Sequence, residues 1–208
     1  MLRVGLTGGY ATGKSFVASE LDKRGCLLIY ADRLGHEVMA PGGPAYTPIV
    51  KRFGAGVLDK DGAIDRKKLA ALVFGDEGLL EELNGIVHPA VFDREEALLA
   101  EFAARDPNAI VVMESAILIE TGRYKVFDRL ILTACSESLQ VSRGMKRDRL
   151  PRSEVLKRIR NQMPLEEKEK FADFVIDTSG SKAETVVRVA AVYQSLKSLT
   201  TEPTKHAL

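Results

Sequence analysis

The chain has 208 residues, the size of one globular domain or of one domain carrying large insertions, so two full independent domains are not expected. Its 45% hydrophobic and 28% charged residues supply a sizeable core and exclude wholesale disorder as well as collagen, coiled-coil and mucin-like organisation. With 30 Lys and Arg against 29 Asp and Glu the formal net charge is +1, so any site that grips a polyanion must be local.

The first element is a short apolar run, Leu2 to Leu6, which reads as a strand buried on both faces. It leads into Gly8-Gly9-Tyr10-Ala11-Thr12-Gly13-Lys14-Ser15, which satisfies G-x4-G-K-S in the strand-to-helix context that this phosphate-binding loop requires. Its glycines allow backbone N–H groups to turn inward around phosphate oxygens, and the helix that follows adds its positive N-terminal end. Lys14 is expected to reach the β and γ phosphates of ATP, and the Ser15 hydroxyl to bind the magnesium ion bridging them. A helix over Lys14 to Arg24 sets Phe16, Val17, Ala18 and Leu21 against the core and stops at Gly25.

A second strand is expected at Cys26 to Ala31. The longest uncharged apolar run, Gly25 to Ala31, is far shorter than the roughly 20 residues of a bilayer span, so no membrane crossing is expected. The first residues have no secretory pattern either, because Gly8, Gly9 and Lys14 interrupt the apolar stretch after Arg3, and residence in the cytosol is expected. Cys26 and Cys135 each lie in an apolar segment and read as buried core thiols rather than a disulfide or a zinc site. Asp32 follows the second strand. In parallel α/β sheets ligands sit at the carboxyl ends of strands, so Asp32 is a candidate to orient or deprotonate an attacking hydroxyl, and equally a candidate helix N-cap.

From Arg33 to Asn108 helical periodicity dominates, punctuated by turns at Pro41 to Pro44, Asp59 to Gly62 and Gly75 to Gly78, and three or four helices fit this stretch. His88-Pro89 is expected to open a helix that ends near Arg105, with the proline in its first turn. On spacing alone His88 reads as structural, and no His or Cys pair suggests a metal site. Strand signals resume at Ala109 to Met113, Arg129 to Thr133 and Phe174 to Ile176, completing five strands separated by helices, an α/β fold with a mainly parallel sheet. Glu114 ends the third strand, where an acid contacts magnesium in many P-loop proteins; a solvated carboxylate is the alternative. Residues 143–160 hold eight basic side chains against two acidic ones, a local charge of +6 that Leu150-Pro151 breaks into two helical pieces. A mobile lid that closes arginines over a triphosphate is favoured there over a solvated helix face. From Thr200 onward the periodicity ends, and a frayed tail over 200–208 is expected.

Taken in order, these blocks resemble the dephospho-CoA kinase family over Leu2 to about Leu199. The resemblance rests on Gly5 to Gly9 into the loop, Ala31-Asp32, Gly62 to Arg66 with Leu69 and Phe74, and Ile86 to Val91. It continues through Ile117 to Glu120, Arg143 with Arg147-Asp148, Arg158-Ile159 with Gln162, and Ala172 to Asp177. The resemblance implies a P-loop NTPase core with a five-stranded parallel sheet over 1–32, 107–140 and 171–199, a helical CoA-binding insertion over 33–106, and a helical lid over 141–170. It further implies phosphorylation of the ribose 3′-hydroxyl of dephospho-CoA by ATP with magnesium. Residues Gly8 to Phe16 would hold the nucleotide, with Ser15 and Glu114 at the metal. Asp32 would act as base, Arg66, His88 and Glu120 on the acceptor side, and Lys14, Arg143 and Arg147 on the transferring phosphoryl group. Neither nucleic acid nor membrane is an expected partner; the sequence leaves the oligomeric state open, with a monomer favoured. Ala11, Phe16, Tyr30 and Ala116 depart from the family pattern, which more often has glycine, threonine, an acid and proline at these places. Two other readings share the loop: a nucleoside or nucleotide kinase with another acceptor pocket, and a nucleotide-dependent nucleic-acid switch using the basic stretch. The near-zero net charge and 6% aromatics without tryptophan weigh against the latter.

Overall fold

The structure, a computed structural model, describes residues 1–73 and 75–200. Phe74 and all of the expected tail except Thr200 lie outside the described residues. All five apolar runs form strands, each within two residues of the expected ends: β1 Leu2–Gly8, β2 Leu27–Tyr30, β3 Ile110–Glu114, β4 Arg129–Ala134 and β5 Phe174–Asp177. They make one sheet in the order β2-β3-β1-β4-β5. The pairs β1–β3, β1–β4 and β4–β5 are parallel. Parallel neighbours need crossover connections, which here are helical, and this explains why the strands read as continuous apolar runs. Val4, Leu6, Val112, Ile131 and Leu132 are fully buried, while β5, at an edge, buries only Ile176. The chain leaves β1 toward one side of the sheet and later returns to its other side at β4. The carboxyl end of β1 is therefore the topological switch point, where open α/β sheets bind ligands.

Helix α1 (Lys14–Asp22) packs on β1 and β3 and against α9 (Lys182–Leu199), which also reaches β5. It ends two residues earlier than expected. The Gly25 N–H bonds the Asp22 carbonyl at 2.8 Å and the Cys26 N–H bonds the Leu21 carbonyl at 3.2 Å, a C-terminal motif that needs the left-handed φ of 93° which glycine adopts without strain. Helices α6 (Glu137–Asp148) and α7 (Arg152–Arg160) flank the expected break at Leu150-Pro151, and α8 (Leu165–Glu169) packs on β4.

The chain divides into two compact units, residues 1–29 with the described residues from Phe102 on, and Tyr30–Glu101. The second unit holds α2 (Ala31–Met39), α3 (Tyr46–Phe53), α4 (Arg66–Val73) and most of α5 (Glu77–Arg105). One expectation fails here. His88-Pro89 does not open a helix, because α5 begins at Glu77 and carries Pro89 in its interior. A proline there removes one backbone hydrogen bond and crowds the carbonyl of the preceding turn, together a cost of about 3 kcal/mol. The buried positions Val91, Glu95 and Leu99 recur at intervals of four, and this packed face keeps the helix continuous past the local break.

Cys26 and Cys135 are both buried free thiols. Burial pushes the Cys26 thiol up to about 12 and raises that of Cys135 as well. At about pH 8, near the ordinary thiol pKa, neither should react with iodoacetamide in the native protein while both react in denaturant. Rapid native alkylation detected by mass spectrometry would contradict the buried placement.

Candidate active site

The phosphate loop leaves the carboxyl end of β1, where Gly8 lies against Thr133. A Cβ on Gly8 would collide with the Thr133 hydroxyl and carbonyl on the neighbouring strand, so only glycine allows this approach. Gly13, at φ 90°, is the N-cap of α1, which has no side-chain cap and no acidic residue in its first turn. The positive end of α1 is thus open to an anion. Lys14 folds back over the loop, its Nζ donating to the carbonyls of Gly8 at 3.0 Å and Gly9 at 2.9 Å. Ala11 sits at φ 57°, a left-handed conformation that costs an L-residue about 1–2 kcal/mol. Phe16, in the first turn of α1, lies under Lys182 of α9, 5.5 Å from Nζ to the ring centre, and so belongs to helix packing.

Three hydroxyls fasten this loop from beneath. Thr12 Oγ1 lies 2.9 Å from the Gly9 carbonyl and 2.8 Å from Thr133 Oγ1. Thr178, just past β5, donates to the Thr12 carbonyl at 2.8 Å. Arg143 of α6 in turn donates to Thr178, Nη1 to the hydroxyl at 3.0 Å and Nη2 to the carbonyl at 2.6 Å. Beside the loop, Ser15 Oγ donates to Glu114 Oε1 at 3.2 Å. Their adjacency follows from the register, which pairs Leu6 of β1 with Glu114 of β3. Two hard oxygen ligands separated by about the spacing of neighbouring sites in an octahedron fit magnesium, which takes one or two protein oxygens and completes its shell with phosphate and water. Among the described residues no group of three His, Cys, Asp or Glu forms a self-contained metal cage.

The basic stretch reaches this loop. Arg147 makes two hydrogen bonds to Asp148, Nε to Oδ1 at 2.8 Å and Nη2 to Oδ2 at 3.0 Å, and its guanidinium lies 5.0 Å from the Tyr10 ring centre. The Tyr10 hydroxyl also donates to Asp148, while Arg158 approaches the same carboxylate at 3.5 Å. The bonds from Arg147 and Tyr10 hold the Asp148 carboxyl at about 2, below the ordinary range. From the segment after α7, the Gln162 side-chain oxygen accepts from the Tyr10 N–H at 2.6 Å. A cavity of about 710 Å³ adjoins the loop, lined by Gly9, Cys135, Gln140, Gln162, Leu165 and Asp177 among others, within the size range of ligand pockets.

The remaining candidates divide between the two units. In the second, Asp32 is an exposed residue in the first turn of α2. It is not the N-cap, which is Tyr30, so the capping alternative does not hold. Four residues on, and therefore on the same helix face, His36 is in contact with Arg66 at the start of α4. His88 stacks near Phe92, with ring centres 5.9 Å apart, and burial lowers its pKa. In the first unit Glu120 is held through Oε1 by Lys168 at 2.7 Å and by the Met163 N–H at 3.3 Å. Lys168 is fully buried and also donates to the Ala116 carbonyl. Sequence reasoning missed Thr178, Thr133 and Lys168. Each sits beyond any motif, and only the buried polar group that it satisfies marks it.

A parallel sheet with this loop at its switch point and an oxygen pair beside the loop serine defines a P-loop NTPase core of the kinase type. A family model described as dephospho-CoA kinase matches residues 2–184. Curated relatives named dephospho-CoA kinase are 40% identical in Aquifex aeolicus, over 94% of this chain and 98% of that one, and 40% identical in Thermobifida fusca, over 95% and 97%. Among solved structures, a Thermus thermophilus protein is 33% identical with a TM-score of 0.81 over 93% of this chain and 96% of its own. The dephospho-CoA kinase from Campylobacter jejuni is 25% identical with a TM-score of 0.61 over the same shares. The chain belongs to the dephospho-CoA kinase family, whose members are ATP-dependent phosphotransferases.

The left-handed Ala11 generates a stability prediction. Ala11→Gly relieves strain but gives the unfolded chain more freedom, so a net gain of about 0.5 kcal/mol is expected, a rise in Tm of roughly 1–2 °C. A fall in Tm on a calorimetric scan would contradict the strain argument.

Proposed function

We propose that this chain transfers the γ-phosphoryl group of ATP to the ribose 3′-hydroxyl of dephospho-CoA, giving CoA and ADP, the last step of coenzyme A biosynthesis. The observation that carries the reading is the Ser15–Glu114 oxygen pair at the mouth of the Lys14 loop, in a chain of the dephospho-CoA kinase family. On this reading the protein works in the cytosol, on small molecules rather than on nucleic acid or membrane.

In the transfer, the bond between the γ-phosphorus and the β–γ bridging oxygen breaks, a new bond forms to the 3′-oxygen, and the hydroxyl proton passes to the Asp32 carboxylate. Lys14 leaves the carbonyls of Gly8 and Gly9 for the β and γ phosphate oxygens, where it meets the charge that spreads during transfer. Residues Gly8 to Phe16 supply the nucleotide cradle, chiefly through backbone N–H groups and the open end of α1. Ser15 and Glu114 would hold a magnesium ion, which would supply electrostatic stabilisation of the phosphates. Arg147, already oriented by Asp148, covers the loop, and Arg143 braces it through Thr178. Closure of this basic segment excludes water as a competing acceptor. Arg66 and His88 contact the acceptor, as does Glu120 through the carboxylate oxygen not held by Lys168.

The reaction is tested by incubating the purified protein with magnesium-ATP and, separately, dephospho-CoA, adenosine, AMP and pantetheine phosphate, then locating any phosphoryl group added. Rapid transfer to the 3′-hydroxyl of dephospho-CoA alone is expected; comparable turnover of adenosine or AMP would overturn the acceptor assignment. Lys14→Ala should reduce transfer by at least about 10²-fold with little change in Tm, because its partners are two loop carbonyls rather than a core. Near-normal turnover would sink the loop assignment.

Asp32→Asn separates chemistry from structure. A first-turn acid contributes about 0.3–1 kcal/mol through the helix dipole, so melting should move little. Loss of a general base costs about 10²- to 10⁴-fold in the single-turnover rate, with ATP binding retained. A rate within about threefold of wild type would remove Asp32 from the mechanism.

A further inference from the structure

We propose that Tyr10 is a positioning residue that seats Arg147 and Arg158 of α6 and α7 over the phosphate loop. The inference rests on the lid role assigned to Arg147 above. Phosphate binding by G-x4-G-K-S asks only for backbone N–H groups at its variable positions, so the loop chemistry itself gives no reason for an aromatic side chain at the second of them. Yet the contacts of Tyr10 converge on one segment. Its hydroxyl donates to Asp148. The guanidinium groups of Arg147 and Arg158 lie 5.0 Å and 5.8 Å from its ring centre. Its N–H is taken by Gln162 at 2.6 Å. Gly144 of α6 makes room for the ring, since a Cβ there would meet the Tyr10 ring edge at 2.5 Å and Val155 of α7 at 3.0 Å.

These contacts form one device. Asp148 carries a single negative charge against two guanidinium groups, which leaves the cluster cationic beside a loop built for anions. A phenol donates one further hydrogen bond to Asp148 without adding charge, and its face offers both arginines a weakly attractive platform that they can leave when phosphate competes. Burial and the bond to Asp148 raise the Tyr10 pKa, so the phenol stays a neutral donor across the working range. Asp148 sets the direction of Arg147, and Tyr10 sets the place of Asp148 relative to the loop.

A packing role and a positioning role predict different behaviour for Tyr10→Phe, which keeps the ring and removes the hydroxyl. If the ring only fills space, transfer stays at the wild-type rate. If the hydroxyl positions Asp148 and thereby Arg147, the single-turnover rate should fall roughly tenfold, as expected for a hydrogen bond to a charged group. Binding of magnesium-ADP and of dephospho-CoA should stay within about twofold, since neither the loop backbone nor the acceptor side is altered. Asp148→Asn also weakens the hold on Arg147 and should lower the rate at least as far, and the double variant should fall no further than Asp148→Asn alone, because Tyr10 acts through Asp148. Arg147→Ala, measured alongside, separates the two levels. If Arg147→Ala is impaired while Tyr10→Phe transfers at the wild-type rate, Tyr10 has no positioning role and the lid reading stands. If Arg147→Ala itself transfers normally, the lid reading fails and this proposal falls with it. Additive losses for Tyr10→Phe and Asp148→Asn, or a rate loss matched by an equal loss of ADP affinity, would also overturn it.

Discussion

The hydroxyl of Thr178 accepts from Arg143 and donates to the carbonyl of Thr12, and through that one group the end of β5, helix α6 and the phosphate loop share a single arrangement. Apart from Tyr10 and Lys14, the loop consists of residues with small side chains or none, which could not hold a shape alone. Thr12 and Thr133 complete the anchorage from the β4 side, and Gly8 permits it by bringing the loop backbone onto Thr133 without a Cβ between them. Because all three threonines are buried, each of these bonds operates away from competing water, where an unmade bond would be costly. The loop is thereby presented in one geometry, the preorganisation that phosphoryl transfer demands of groups aimed at developing charge.

The local charge follows from this placement. The chain as a whole is almost neutral, yet around the loop the open end of α1, Lys14 and the arginines of α6 and α7 gather positive character in one place. Asp148 restrains these arginines without cancelling them, since one carboxylate faces two guanidinium groups. The Lys168–Glu120 pair belongs to a different category. Lys168 is wholly buried, its partners are Glu120 and the Ala116 carbonyl, and it fastens α8 to the segment after β3. With Lys168 buried and Glu120 partly open to water, the pair contributes little net stability, while removal of Glu120 leaves an uncompensated buried charge, so its effect is to specify one local arrangement.

Much of the fold was legible because parallel strands covered on both faces leave a continuous apolar run, and all five such runs are strands. The loop was legible because its chemistry constrains residue type at fixed spacing, and Ser15 with Glu114 because both lie at strand or helix ends in that pattern. The α5 error has the opposite origin. Pro89 is a strong local stop signal, and a packed stripe at Val91, Glu95 and Leu99 outweighed it. Asp32 showed a related limit. Its residue type suits an N-cap, but the helix starts two residues earlier than such a cap requires, at Ala31, and the cap falls on Tyr30.

By itself, then, the sequence determined the strand and helix succession, the phosphate loop and the family resemblance, because each depends on residue type at short, regular spacing. Only the tertiary structure decided that Thr178 braces a loop more than 160 residues away in the chain, at Thr12, that Gln162 occupies the Tyr10 N–H, and that Tyr10 stands against Arg147 and Arg158. The reason is physical. A threonine hydroxyl, a glutamine amide or a tyrosine ring satisfies many environments equally well, so its role is set by whichever donor or acceptor the sheet register and the α6–α7 helix pair bring within about 3 Å of it, or whichever charge within about 6 Å of a ring.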